Sequence, residues 1–206
     1  MKHLLRITGS SIPAVASLTL ASVVLTACMG PVKTPPVSTY SLNATPTVAQ
    51  KPRTAKTLLV TSPTATATFA TNKMAYTSAP FQVSYFANNR WTARPSEMLK
   101  PLMVSALQDT NHYHAVVASP FSGNATLRLD TDLIKLQQEF SHIPSQIELE
   151  VQARLVDAKS LRVIATKHFD IIEPAPTNTP YGGVIAANKA VNQYLQELSR
   201  FCLKYS

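Results

Sequence analysis

Cys28 is the residue of this sequence whose position most directly suggests chemistry, and it is one of two cysteines among 206 residues. It follows Leu25, Thr26 and Ala27, which close an uncharged apolar segment that is itself preceded by two basic residues. A positive start, an apolar stretch and small residues before a cleavage point are typical of a secretory signal. We therefore predict that residues 1–27 are a signal peptide that is removed on export.

The four residues Leu25, Thr26, Ala27 and Cys28 resemble the lipobox of bacterial lipoproteins. In a lipobox the cysteine sulfur receives a diacylglycerol through a thioether, which only a thiol can form, and small side chains precede the cut. The resemblance implies that Cys28 becomes an acylated N-terminus. Each buried methylene adds about 0.8 kcal/mol, so several acyl chains anchor a protein stably without a membrane span. An ordinary signal with a chance cysteine and an uncleaved anchor are the alternatives.

The residue after the cysteine bears on which membrane holds the anchor. Lipoproteins that stay on the inner membrane usually carry Asp at this position, and here it is Met29. The expected location is therefore the outer membrane, with the folded domain facing the periplasm.

Two other residue pairs could support catalysis or metal binding. His112 and His114 are two residues apart, and with a third ligand they could hold Zn²⁺ or Cu²⁺. No such ligand lies at a recognisable spacing, so we interpret both as surface histidines. Asp130 and Asp132 alternate with leucines, which predicts that they lie on the polar face of a strand. We predict no catalytic residue, no metal and no cofactor. A metal-dependent hydrolase using His112, His114 and Asp130 is the enzyme alternative.

Composition and charge narrow the class of protein further. The net charge of +8 is spread along the chain without a block of like charges, so an exported chain of this kind is not expected to bind nucleic acid. Attraction to anionic lipid head groups is compatible with this charge. If Cys28 is acylated, Cys202 has no intrachain partner, and its apolar neighbours predict a small buried residue.

The mature chain divides into a tether and one domain. Residues 28–56 hold five of the fifteen prolines, which favours an extended tether, although residues 40–42 could form a short strand that pairs back onto the domain. Residues 57–206 have the apolar patterning of one α+β domain.

Alternating apolar and polar residues predict the strands of this domain. Residues 57–60 and 147–155 are predicted strands, as is the segment that follows the turn at 156–162. Residues 127–140 alternate with one slip of phase, which predicts a β-bulge or a sharp bend. In residues 81–91 one parity is apolar and is predicted to be buried; it comprises Phe81, Val83, Tyr85, Ala87 and Trp91.

Helical periodicity predicts two helices, over residues 95–109 and 181–204. Pro101 either kinks the first helix or indicates that it begins later. Strands with one apolar face and helices with one apolar stripe predict an α+β fold. Its mostly antiparallel sheet has two helices packed on one face.

Motifs along this domain resemble those of the ABC-type transport auxiliary lipoproteins, the outer-membrane partners of transport systems built around MCE-domain (mammalian cell entry type) proteins. The matching segments are Tyr40-Ser41-Leu42, residues 58–60, Trp91 followed by Pro95, the paired strands 127–140 and 147–155, and the run "AANKA" at 186–190. Together they span nearly all of residues 40–203.

The resemblance implies a non-catalytic role in moving lipids or hydrophobic solutes between the inner and outer membranes. An MCE-domain protein would form the conduit, and an ABC permease with its ATPase would supply energy. This chain would be the docking component, and a homo-oligomer is expected. Trp91 and Tyr85 are candidates either for the core or for a partner contact.

A binding protein of another class shares the same anchor, tether and domain type. The alternative interpretation is an outer-membrane lipoprotein adaptor that activates a cell-wall synthase or assists envelope assembly.

Overall fold

The computed structural model describes residues 35–206 of the chain. Within them lie nine strands and two helices. In chain order they are β1 (Ser38–Tyr40), β2 (Thr57–Val60), β3 (Thr64–Ala65), β4 (Lys73–Thr77), β5 (Ser84–Trp91), α1 (Pro95–Gln108), β6 (Ala115–Ala118), β7 (Leu127–Glu139), β8 (Gln146–Asp157), β9 (Val163–Pro174) and α2 (Pro180–Tyr205). No helix in this range is long and apolar enough to cross a membrane.

Three long strands form the centre of the sheet. β7, β8 and β9 follow one another in an antiparallel meander, and each turns one face toward the core and the other away from it. The register of β7 on β8 shifts between Leu133 and Lys135. This is where the alternation slips phase in the sequence, so the predicted bulge is confirmed.

The shorter strands pair differently. β2, β3 and β4 lie in succession along the other edge of β7, each parallel to it. β6 extends the sheet beyond β2, whereas β5 and then β1 extend it beyond β4. The predicted α+β fold with a mostly antiparallel sheet is confirmed, with these short parallel pairings as an addition that the sequence pattern did not indicate.

Helix α1 begins where the sequence predicts. Pro95 occupies its first turn, where a missing N–H costs nothing, and the Glu97 side chain accepts a hydrogen bond from the Arg94 N–H at 3.2 Å. The helix runs through Pro101, whose ring faces solvent. The later start that Pro101 could have indicated is therefore wrong.

Helix α2 is the longest element and its N-terminus is closely packed. Thr179 caps it by accepting a hydrogen bond from the Gly182 N–H at 3.1 Å. A Cβ on Gly182 would overlap the Thr177 carbonyl oxygen, and one on Gly183 would overlap the Gln138 side chain. Glycine normally destabilises a helix, but at these two positions the neighbouring atoms leave no room for a side chain.

Both helices cover the same face of the sheet and contact each other. The apolar stripe predicted for α2 is fully buried; it comprises Val184, Ala187, Val191, Leu195, Leu198 and Cys202. On the sheet side, the Phe169 ring stands edge-on to the Tyr194 ring at 5.1 Å between centroids. The core therefore lies between α2 and the strands β8 and β9.

The segment before β2 is packed on the domain. β1 pairs with β5, Leu42 and Ala44 are buried, and the Thr54 N–H donates to the His112 carbonyl oxygen at 2.7 Å. Residues 38–56, which the sequence analysis assigned to the tether, therefore belong to the folded part. Proline favours an extended backbone whether the segment lies on the domain surface or in solvent, so the proline content did not distinguish the two.

The burial predicted for alternate residues of 81–91 is wrong at every position except Trp91. Phe81, Val83, Tyr85 and Ala87 are exposed, and Phe86, of the opposite parity, packs against the core. Trp91 is buried as its parity predicts.

An irregularity in the pairing of β4 with β5 explains this difference. Lys73 pairs with Arg90 and Ala75 with Tyr85, so β5 advances five residues while β4 advances two. An odd number of extra residues turns a strand over, because side chains alternate between faces.

Two neighbouring isoleucines on β9 provide a test of which face is the core. Ile171 is 2% exposed under α2, whereas Ile172 is 55% exposed on the other face. Ile171→Ala should lower the free energy of unfolding by about 2–5 kcal/mol, since it removes buried atoms and leaves a cavity. Ile172→Ala should change it by about 0.5 kcal/mol. Urea unfolding followed through the fluorescence of Trp91, the single tryptophan, measures both. Equal losses would contradict this assignment of faces.

Candidate functional site

The predicted lipidation site lies outside the described residues. Leu25, Thr26, Ala27 and Cys28 all precede residue 35, where the description begins. Their role as lipobox and acylated cysteine stays a prediction.

The interpretation of His112 as a surface histidine is wrong. His112 is buried, and its Nδ1 lies 2.7 Å from the Pro52 carbonyl oxygen. The Thr54 hydroxyl donates to the His112 carbonyl oxygen at 3.1 Å, so this residue fastens the segment 52–54 to the domain. His114 is exposed. Among residues 35–206 no three histidine, cysteine or acidic side chains are grouped so that they could hold a metal ion.

Asp130 and Asp132 lie on the polar face of β7, as predicted. Asp130 accepts hydrogen bonds from Arg128 Nε at 3.0 and 3.1 Å, one to each carboxylate oxygen, and from Arg128 Nη2 at 2.9 Å. Asp132 is paired with Arg154 of β8 at 2.6 Å. Each carboxylate is thus neutralised by an arginine in a favourable geometry. Their contacts are those of a structured, charge-balanced surface.

The same pattern continues along the polar face of β7 and β8, which we call the open sheet face. Lys135 is ion-paired with Glu150 and lies 3.5 Å from Glu148, which in turn accepts a hydrogen bond from Gln137 at 3.0 Å. The hydrogen bond to Glu150 raises the pKa of Lys135 above its usual range. These charges are partly buried and held in fixed positions. A partner with complementary charges could recognise such a face.

Strand β9 forms one border of the open sheet face. Within residues 35–206 its only pairing partner is β8, so the backbone groups of its other edge are unpaired along twelve residues. Its exposed side chains on the open face are Ile164, Thr166, His168, Asp170 and Ile172. A long edge strand rich in β-branched residues is a ready template for pairing with another chain. We regard the open sheet face and the β9 edge together as the candidate interaction site.

A second surface is a shallow groove of about 820 Å³ between α2 and residues 43–45. Asn188 closes it at one point: its Oδ1 accepts a hydrogen bond from the Asn43 N–H at 2.6 Å. Its Nδ2 donates to the Val184 and Ser41 carbonyl oxygens. Asn188 is the asparagine of the "AANKA" run, so this motif joins the closing helix to the segment that follows Tyr40.

The two aromatic candidates lie in different environments. Trp91 is buried in the core, and its backbone N–H donates to the Asn72 carbonyl oxygen at 2.8 Å. Tyr85 is partly exposed, with its hydroxyl donating to the Thr68 carbonyl oxygen at 2.9 Å and Lys73 over its ring. Tyr85 is therefore available to a partner, and Trp91 is not.

Comparison with known proteins agrees with this architecture. A family model described as an ABC-type transport auxiliary lipoprotein component matches residues 40–199, which run from Tyr40 into α2. The chain belongs to this family. Its members are described as lipoproteins associated with ABC transport systems, which makes this chain a membrane-anchored component of the cell envelope. No curated protein matches the chain.

Solved structures share the fold. A family-DUF330 protein from Xanthomonas campestris is similar with a TM-score of 0.73 and 20% identity, covering 82% of this chain and 96% of that one. An uncharacterised protein is similar with a TM-score of 0.64 and 14% identity, covering 82% of this chain and 99% of that one. At these identities the similarity shows the fold alone.

Cys202 bears on how Cys28 can be examined. It is a free cysteine with no exposed surface, as the sequence predicts, and burial raises the pKa of its thiol. The thiolate is the reactive form, so a buried thiol with a raised pKa is inert.

Thiol titration should therefore separate the two cysteines. In full-length protein purified from its native membrane, we expect no thiol to react under native conditions, and Cys202 alone to react in denaturant. A second thiol in denaturant, retained in Cys202→Ala protein, would mean that Cys28 is not acylated. A thiol that reacts in the folded protein and disappears in Cys202→Ala would contradict the burial of Cys202.

Proposed function

We propose that this chain is a non-catalytic docking component of an ABC transport system whose conduit is an MCE-domain protein. The transported molecules would be lipids or hydrophobic solutes that move between the inner and outer membranes. The observation that carries the proposal is the family match over residues 40–199, since it names an auxiliary component of ABC-type transport.

The anchor determines where such a component would act. Acylation of Cys28 would hold the domain at a membrane, and Met29 in place of Asp supports the outer membrane. The domain would then face the periplasm, where a conduit from the inner membrane has to arrive.

The open sheet face and the β9 edge are the surfaces that we assign to binding. The face offers fixed charges of both signs, with the Arg128–Asp130 and Arg154–Asp132 pairs side by side. The edge offers unpaired backbone groups and exposed isoleucines. Charge complementarity gives specificity, while backbone pairing gives affinity, so the two surfaces are suited to one partner or to one repeated contact.

A homo-oligomer built through the β9 edge is part of this proposal. In a closed ring every subunit can pair its edge strand with a neighbouring subunit. This pairing removes the risk of aggregation that a long unpaired edge strand otherwise presents. A ring of lipid-anchored subunits would also match a conduit with several subunits.

The partner can be identified by a pull-down of the full-length protein from its native envelope in mild detergent, followed by mass spectrometry. We expect an MCE-domain protein or an ABC permease or ATPase to be recovered, together with an acylated Cys28 peptide. Cys28→Ala protein is the control, because it keeps the domain and loses the anchor.

Other results of the pull-down would contradict the proposal. Recovery of a cell-wall synthase would favour the adaptor interpretation. An unacylated Cys28 behind an intact leader would remove the anchor from either interpretation.

Oligomer formation through β9 can be tested with one added charge. Thr166→Lys places a lysine on the open face in the middle of β9, where it should lower the assembled fraction several-fold, because edge lysines oppose pairing with another strand. Gln193→Lys adds the same charge to an exposed position on α2 and should leave assembly unchanged. Analytical ultracentrifugation of the detergent-solubilised protein measures both. Equal assembly of the two variants would exclude the β9 edge.

A further inference from the structure

We propose that the loop tips at Phe81 and Ile143 contact the lipid bilayer that holds the anchor, and so set the orientation of the domain on the membrane. This inference rests on the acylation of Cys28 in the proposed function. It adds a second, non-covalent membrane contact made by the folded domain itself.

The two loops leave the sheet at the same end. β4 and β7 run parallel with Thr77 opposite Glu139, and the Phe140 N–H donates to the Thr77 carbonyl oxygen at 2.9 Å. Residues 78–83 follow β4 and residues 140–145 follow β7, and both loops line one shallow pocket of about 490 Å³.

Both tips are apolar and extend into solvent. The Phe81 side chain is fully exposed, on a backbone with a φ of 64°, and Ile143 is 90% exposed. Neither loop contains a lysine, arginine, aspartate or glutamate. A bulky residue in the left-handed region is uncommon, and grouped exposed apolar side chains mark surfaces that meet a protein or a membrane.

Hydrogen bonds to Glu139, the last residue of β7, fix the conformation of the Ile143 loop. The Glu139 carboxylate accepts hydrogen bonds from the Ser141 N–H at 2.8 Å and hydroxyl at 2.6 Å, and lies 2.7 Å from His142 Nδ1. Burial alone would raise the pKa of Glu139, but these hydrogen bonds outweigh it and hold that pKa below its usual range. The loop thus presents Ile143 on a fixed support, which lowers the entropic cost of a contact.

The position of β1, where the tether meets the sheet, indicates that the surface contacted by the loop tips is a bilayer. β1 is parallel to β5 and pairs with its last residues, with Ser38 beside Asn89. The next residue of β5, Arg90, pairs with Lys73, four residues before Thr77 at the loop end of β4, so Ser38 lies about 13 Å from the end of the sheet that carries the loop tips. Ten peptide steps lead from Cys28 to Ser38 and reach at most about 35 Å. The thirteen residues of β7 span about 43 Å. The tether therefore meets the domain nearer to the loop tips than to the opposite end of the sheet, and the anchor brings the bilayer to this end.

The opposite end of the sheet has a different character. The turn between β8 and β9 carries Lys159 and Arg162, and Lys51 donates to the Leu203 carbonyl oxygen at the end of α2 at 2.7 Å. Leu161 is exposed in this turn, but Lys159 and Arg162 stand on either side of it, whereas the loops at Phe81 and Ile143 carry no charged residue. This charged end of the sheet serves as the internal control.

Lipid-quenching of a fluorophore tests the contact in the acylated full-length protein. Ile143→Cys and Phe81→Cys would be labelled with a nitrobenzoxadiazole dye, and Lys159→Cys is the matched control at the other end of the sheet. Cys202 is buried and an acylated Cys28 has no thiol, so labelling is specific. The protein would be placed in vesicles of phosphatidylethanolamine with a minority of phosphatidylglycerol, with and without bromine on the acyl chains.

We expect bromine to quench the dyes at positions 143 and 81 several-fold more than the dye at position 159. Equal, weak quenching at all three positions on vesicle-bound protein would overturn the proposal. So would a dye at position 143 that is shielded from aqueous quenchers but not quenched by bromine, because that result indicates a protein contact. Failure of the anchor is distinguishable, since unacylated protein would stay unbound and mass spectrometry would show an unmodified Cys28.

Discussion

The burial of the apolar stripe of α2 against β8 and β9 is the contact on which the rest of the structure depends. It covers one face of the long meander, so the other face stays open with its charges paired across neighbouring strands. It also fixes the segment before β2, because Asn188 on α2 holds the backbone of residues 41–43. Among the described residues no strand pairs with the outer edge of β9, because α2 covers the face of that strand and not its side.

The elements with strong periodicity could be predicted from the sequence, and those fixed by tertiary contacts could not. The stripe of α2, the alternation of β8 and the bulge at Leu133 are properties of local patterns that one buried face imposes. β4 and β6 are short, and their parallel pairing, with β7 and β2 respectively, depends on residues far away in the chain. The face of β5 could not be predicted, since an irregular pairing with β4 turns the strand over.

The candidate site was predictable to a smaller extent. Asp130 and Asp132 lie on the polar face that their alternation indicates, but the pairing of Asp132 with Arg154 depends on the register of β7 on β8. His112 is buried by a hydrogen bond to Pro52, sixty residues away, which no local pattern reveals. Exposed edges and loop tips such as β9 and Ile143 become visible only in three dimensions. Within residues 35–206, a charged face, an edge strand with one partner and an apolar end are consistent with a component that acts by holding other components in place.

Site-specific photo-crosslinking in the native envelope tests most directly whether the open sheet face binds the transport system. A benzoylphenylalanine at His168, on the open face of β9, is compared with one at Gln193, exposed on α2. If the open sheet face binds the transport system, we expect adducts with a second copy of the chain or with an MCE-domain protein at position 168, and none at position 193. Adducts with transport partners at position 193 alone would contradict it.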